Sequence, residues 1–318
     1  MSLSVATRYL DHLTDADLAV LARFDAGASS TSAPADGPGA ESPAARLRRQ
    51  PHLVEGALSD PSTYDHVFAA EQHERVSAIS PFLVFALLVH RSVADLHGTA
   101  FVAEPFAGHR RIPVFDAVVL REHFADPVRR LLAAEHLASY TRVVSGPVWI
   151  HSPNGKTRKV RYSELDPVRL AHLSTLVADT ERPGIHRRLG DLALFLTGVF
   201  ADHASRQPAH PIAVERLLRS VGQMGDGATT TGAGRAAPGG SIGADDIEAL
   251  SGSRGMDGLL RVLGPQWYRL AARSSPVGST RALLSDAAEH FDLTRRFLVL
   301  LTDRYLFPLR DRWFGPPA

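Results

Sequence analysis

Two groups of residues in this 318-residue chain have types and spacings that could do chemistry. The first is cationic. Lys156, Arg158, Lys159 and Arg161 follow one another closely, the two lysines are the only ones in the chain, and no Asp or Glu occurs between Glu135 and Glu164. Arg129, Arg130 and Arg142 lie just upstream. Clustered cations of this kind meet phosphates or carboxylates and give salt-dependent binding. The second group is His66, Glu71, His73, His90, Arg188 and Asp191. Imidazoles and carboxylates are the side chains that line metal and cofactor pockets.

Spacing weakens the second group. His66 and His73 are seven residues apart, as are His90 and His97. Helix-borne ligands to one ion stand three or four apart, and seven residues span about 10 Å of helix axis. His97 precedes Gly98, where a cation at a helix C-terminus has a sufficient structural reason. Arg187 and Asp191, four apart, read as an intrahelical ion pair, with a polar pocket lining as the functional alternative.

Three motif matches fail on context. Gly239-Gly240-Ser241-Ile242-Gly243 fits the nucleophile-elbow pattern, but it lies in a Gly/Ala/Thr stretch with no strand before it. Gly155-Lys156-Thr157 ends like a phosphate-binding loop, yet Ile150 stands where the first glycine belongs. Gly232, Gly234 and Ala237 have no βαβ unit around them.

The elements that must position the cations follow from pattern. Val148 to Tyr162 alternates on both sides of Pro153-Asn154-Gly155, which predicts a β-hairpin with Asn154-Gly155 at the positive-φ positions. Ser80-Pro81, Asp126-Pro127 and Asp166-Pro167 each offer an N-cap acceptor followed by proline at the first helical position. Thr14 with Asp17 offers a capping box. Helices are expected at about 15–25, 62–78, 81–96, 116–124, 127–143, 167–178, 185–202 and 211–221. Further helices are expected at about 245–251, 256–263, 265–273 and 279–306. Helix, helix, helix, hairpin is the order of a winged helix-turn-helix, with Arg129, Arg130 and Arg142 on the reading helix and the four clustered cations on the wing. Against that stand the gap of about 20 residues between His97 and Asp116, and Glu135 with His136 in mid-helix. The plainer expectation is a solvated hairpin whose inner face (Val148, Ile150, Val160, Tyr162) caps a helical core.

Composition sets the outer limits. The chain is 44% hydrophobic and 22% charged with a net charge of +1, so recognition by charge must be local. Without cysteine there is no disulfide, thiolate nucleophile or iron–sulfur cluster. The longest apolar runs, 81–89 and 192–201, are about half of the ~20 residues that span a bilayer. The N-terminal stretch carries acids and His where a signal peptide needs an apolar run. A cytoplasmic protein with no membrane partner and no cofactor is the expectation.

The organisation expected is an N-terminal helix (1–25), a flexible linker (26–45), a central helical domain with the basic hairpin (46–221), a second linker (222–243) and a C-terminal helical segment (244–318). The fold class expected is mostly α: a bundle-like central domain with one small β-hairpin at about 148–162. Function is expected to be non-enzymatic, an interaction or regulatory role in which the basic hairpin contacts nucleic acid or an acidic partner. The alternatives are an all-helical metal or cofactor enzyme using the second residue group, and a helical scaffold. The aromatic C-terminal stretch (Phe291, Phe297, Tyr305, Phe307, Trp313, Phe314) docks in cis or serves an unknown protein partner or self-association.

Overall fold

A computed structural model describes residues 2–24, 42–69, 76, 78–106, 110–151, 157–222 and 244–314. The expected linkers fall almost wholly outside the described residues, as do Glu71, His73 and Lys156. The chain is mostly helical, with two small two-stranded antiparallel sheets.

In order, the elements are α1 (Ser2–His12), α2 (Asp15–Leu21), α3 (Pro43–Arg49), α4 (His52–Ser59), α5 (Pro61–Phe68) and α6 (Pro81–Asp95). Next come β1 (Val102–Phe106), β2 (Arg110–Val114), α7 (Ala117–Phe124), α8 (Pro127–Ser139), β3 (Ser145–His151) and β4 (Thr157–Ser163). After them run α9 (Pro167–Ser174), α10 (Arg182–Gly198), α11 (Ala201–Arg206), α12 (Pro211–Gly222) and α13 (Ala244–Arg273). The chain closes with α14 (Gly278–Glu289), α15 (Phe291–Leu301), a π-helical turn (Thr302–Leu306) and α16 (Phe307–Phe314).

The side-chain caps are where the sequence places them. Ser80, Asp126 and Asp166 accept hydrogen bonds from the first turns of α6, α8 and α9, each with proline at the start. Ser42 and Asp60 do the same for α3 and α5. The Thr14–Asp17 capping box is formed, and the buried Asp17 also accepts from the Ser80 amide at 2.8 Å. One carboxylate therefore satisfies the entry points of both α2 and α6.

The chain divides into two compact units. The first comprises residues 1–103, 113–141 and 300–318. Its core centres on α6, whose Leu83, Leu87 and Leu88 are buried, and which packs against α4, α5 and α8. Glu135 of α8 pairs with Arg8 at 2.9 Å and with His12 at 2.9 Å, so α1 accounts for a mid-helix acid that a groove-reading helix would not carry.

The second unit comprises residues 104–112 and 142–299. Its core is the packing of α10 on α13. Gly190 faces the Tyr268 ring, and a Cβ there would lie 2.9 Å from it. Gly264 sits between Phe291 and Ala193, and a Cβ would come within 2.5 Å of the phenyl ring. These glycines let helices approach more closely than side chains permit. Glu104 of β1 pairs with the buried Arg295, with Arg296 at 3.4 Å and with Arg261 at 3.7 Å, so three arginines meet one strand carboxylate.

Several expectations need correction. The gap between His97 and Asp116 holds a second two-stranded sheet, β1–β2, which was not expected. Arg110 and Arg111 and the Pro-interrupted VAEPF and RRIPV stretches hide it, because proline argues against a strand. The helix expected over 62–78 ends at Phe68. The N-terminal helix expected over 1–25 is two helices, α1 and α2; α3 and α4 were not expected, and α3 begins inside the stretch read as linker. The segment expected as three helices over 245–273 is one span kinked at Gly255, whose φ of 59° and ψ of −151° only glycine tolerates. The helix expected over 279–306 breaks at His290 and ends in the π-helical turn.

Candidate functional site

The expected hairpin is present as β3–β4, and its register decides what the cations can do. Val148 pairs with Val160, Trp149 with Lys159, Ile150 with Arg158, and Pro147 with Arg161. Because side chains alternate across a strand, Trp149, Lys159 and Arg161 share one face, and Val148, Ile150, Val160 and Tyr162 share the other. Arg158 pairs in register with Ile150, one position out of step with Lys159 and Arg161. On the outer face Trp149 is 63% exposed, while on the inner face Ile150 is 8% exposed. The Lys159 ammonium stands 5.7 Å from the centre of the Trp149 ring, a cation–π pair. Arg142, at the approach to β3, and Arg161 are both exposed.

Beneath the inner face lies a cleft of about 550 Å³ within the second unit. Val148 and Ile150 of β3 roof it with Trp149 at its edge, Leu170 and Leu173 of α9 and Ile185 of α10 wall it, and Val177 and Ala178 close the loop side. Its polar groups are Tyr162, Glu181 and Arg188. Burial, with a hydrogen bond to Glu164, pushes the Tyr162 hydroxyl up to about 12, so it stays protonated and donates. Glu164 also accepts from the Val144 amide at 3.0 Å and pairs with Arg188 at 3.6 Å. The hairpin base, α10 and the cleft are thus joined through one carboxylate.

The other expected cations are committed elsewhere. Arg130 donates to the Phe124 and Ala125 carbonyls at 2.8 and 2.9 Å and pairs with Glu55. Arg129 donates to the His123 carbonyl at 3.2 Å. Both finish the C-terminus of α7, whose last carbonyls have no intrahelical donor. They belong to the first unit, and the β3–β4 hairpin to the second.

Of the metal-type residues, Glu71 and His73 lie outside the described residues, and the others have structural partners. His90 is 4% exposed. Its Nε2 meets the Tyr9 hydroxyl at 3.1 Å and its Nδ1 the Ser59 hydroxyl at 2.9 Å, so both ring nitrogens are occupied. Burial, reinforced by Arg130, pulls its pKa down to about 3. The His66 ring packs 5.1 Å from that of Phe24. Asp191 accepts from the Tyr268 hydroxyl at 2.7 Å, and Arg187 approaches it at 4.0 Å, the intrahelical pair expected. Among the described residues, no group of three His, Asp or Glu side chains could hold a metal ion. No described helix is long and apolar enough to cross a membrane. Phe291 and Phe297 of the aromatic C-terminal stretch are buried in the second unit, and Tyr305 is buried in the first against Asp95.

Sequence reasoning passed over Trp149 as a site residue. The signal was available: it falls out of phase with Val148 and Ile150, which puts a large aromatic on the solvent face. The cleft walls on α9 had no such signal, because Leu170 and Leu173 read as ordinary core. The chain matches no family model, no curated protein and no solved structure.

Proposed function

We propose that the second unit is a non-enzymatic binding module whose hairpin outer face takes single-stranded nucleic acid. The observation that carries this reading is the exposed Trp149, with Lys159 directly opposite it and Arg161 two residues on along β4. An indole left in water loses the burial that usually places tryptophan inside. A base stacked on it recovers that surface, and the two cations meet the adjoining phosphates. A duplex-reading role draws less support, since Arg129 and Arg130 are spent on helix carbonyls.

The test is anisotropy of a labelled oligonucleotide against the full chain at about 50 mM salt, where phosphate contacts are strongest. Trp149→Ala is expected to weaken binding by roughly five- to 150-fold, the range of one base–aromatic stack of about 1–3 kcal/mol. No binding by the wild type, or no loss in Trp149→Ala, refutes the reading. Equal competition by poly-glutamate reassigns the face to an acidic polypeptide.

A further inference from the structure

We infer that the cleft beneath the hairpin binds a small apolar monocarboxylate. The inference does not rest on the nucleic-acid reading: Trp149 also edges the cleft, but the contacts argued for the ligand are those of Ile150, Leu173, Ile185 and Arg188. The volume of about 550 Å³ lies within the range of small-ligand sites, and most of the lining is aliphatic.

The polar groups are arranged along one line. Glu181, Ile185 and Arg188 follow one another at intervals of four and three, so they lie along one face of α10 and its approach, spanning about 10 Å. Arg188 marks one end, beside Tyr162 and Glu164, and the exposed Glu181 marks the other. Glu164 is held by the Tyr162 hydroxyl and the Val144 amide, which leaves it 3.6 Å from Arg188, at the long edge of ion pairing. A guanidinium presents a planar fork of five N–H donors matched to carboxylate geometry. A carboxylate entering the cleft shares the Arg188 fork with Glu164, which keeps its other two donors. The Arg188 side chain is 19% exposed, so the contact forms partly out of water, where charge-assisted hydrogen bonds are strongest. The ligand's apolar body then lies along Ile185, Leu173 and Ile150. Glu181 at the far end repels a second anion, which selects against dicarboxylates.

Isothermal titration of the full chain with decanoate, decanol, decylamine and decanedioate tests this. Decanoate is expected to bind saturably and most tightly, with decanedioate at least about fivefold weaker. Arg188→Met, which keeps the apolar stem, is expected to weaken decanoate at least about tenfold and leave decanol unchanged. Leu173→Trp fills the cleft and should abolish binding of every probe with Arg188 intact. Far-UV circular dichroism checks that each variant is folded. If Arg188→Met does not fold, Arg188→Lys serves instead, with a several-fold loss expected from the missing fork. Absence of saturable decanoate binding, tighter binding of decylamine, or decanoate binding unchanged by Leu173→Trp overturns the inference.

Discussion

His90 gives the first unit a defined acid limit. The imidazole is held neutral by burial and by the charge of Arg130, with its pKa lowered from 6.5 to about 3. Because the folded value is depressed, the unfolded chain takes up a proton first as pH falls. The stabilisation is complete above pH 6.5 and is lost progressively between 6.5 and about 3. At pH 5 the loss is about 2 kcal/mol for this one group. His186 in the second unit is likewise pulled down by burial, to about 4, and its loss at pH 5 is also about 2 kcal/mol. Each unit therefore carries its own titrating histidine. Scanning calorimetry at pH 8 and pH 5 on the wild type, His90→Gln and His186→Gln measures both. His90→Gln is expected to be less stable at pH 8, because Tyr9 and Ser59 lose their shared acceptor and donor, yet to lose only about half as much as the wild type on going to pH 5. A wild-type pH dependence retained in full by His90→Gln would show that the imidazole is not held neutral and refute the reasoning.

Two further outcomes follow from the packing and from the hairpin face. Gly264→Ala places a Cβ within 2.5 Å of Phe291 and 3.1 Å of Ala193. Overpacking of this kind costs about 1–3 kcal/mol, and Pro265 behind it disfavours a helical alanine further. Urea denaturation should show that loss, whereas Gly184→Ala, with nothing within 4 Å, should be neutral or gain up to about 1 kcal/mol. Oligonucleotide affinity should fall with salt on a log–log slope of about −1.4, two phosphates at about −0.7 each for a single strand. Lys159→Gln with Arg161→Gln should flatten that slope, as read by anisotropy from 50 to 200 mM salt, and an unchanged slope would remove those two cations from the interface.

Legibility in the sequence followed the range of the interactions. The Ser/Asp-Pro helix starts were readable because a cap involves residues two or three apart. The β3–β4 hairpin was readable because alternation around Asn154-Gly155 is local. What distance along the chain decided was not. Nothing near Glu104 announces that Arg295, 191 residues on, will pair with it. The β1–β2 sheet was masked by prolines that a short strand tolerates. The kink at Gly255 hid among many glycines, since nothing local marks the one whose added Cβ would strike the Gln207 carbonyl. At the site, charge was easy to count and direction was not. Four clustered cations looked like one patch until the pleat assigned Arg158 to the register of Ile150. The cleft could not be read at all, because Leu173 on α9 and Arg188 on α10 meet only through tertiary packing.

The glycine seam along α10 reaches beyond packing. The helix that offers Ile185 and Arg188 to the cleft carries Gly190 two residues later, pressed against Tyr268, and Gly198 two turns on, against Leu298. The back wall of the cleft is therefore located by residues that no ligand would touch. In a mutational screen, side chains added along that seam would displace α10 and register as binding defects. A map of sensitive positions would then trace the full length of the helix, and drawing the site boundary from such a map would enclose far more of the protein than the cleft itself.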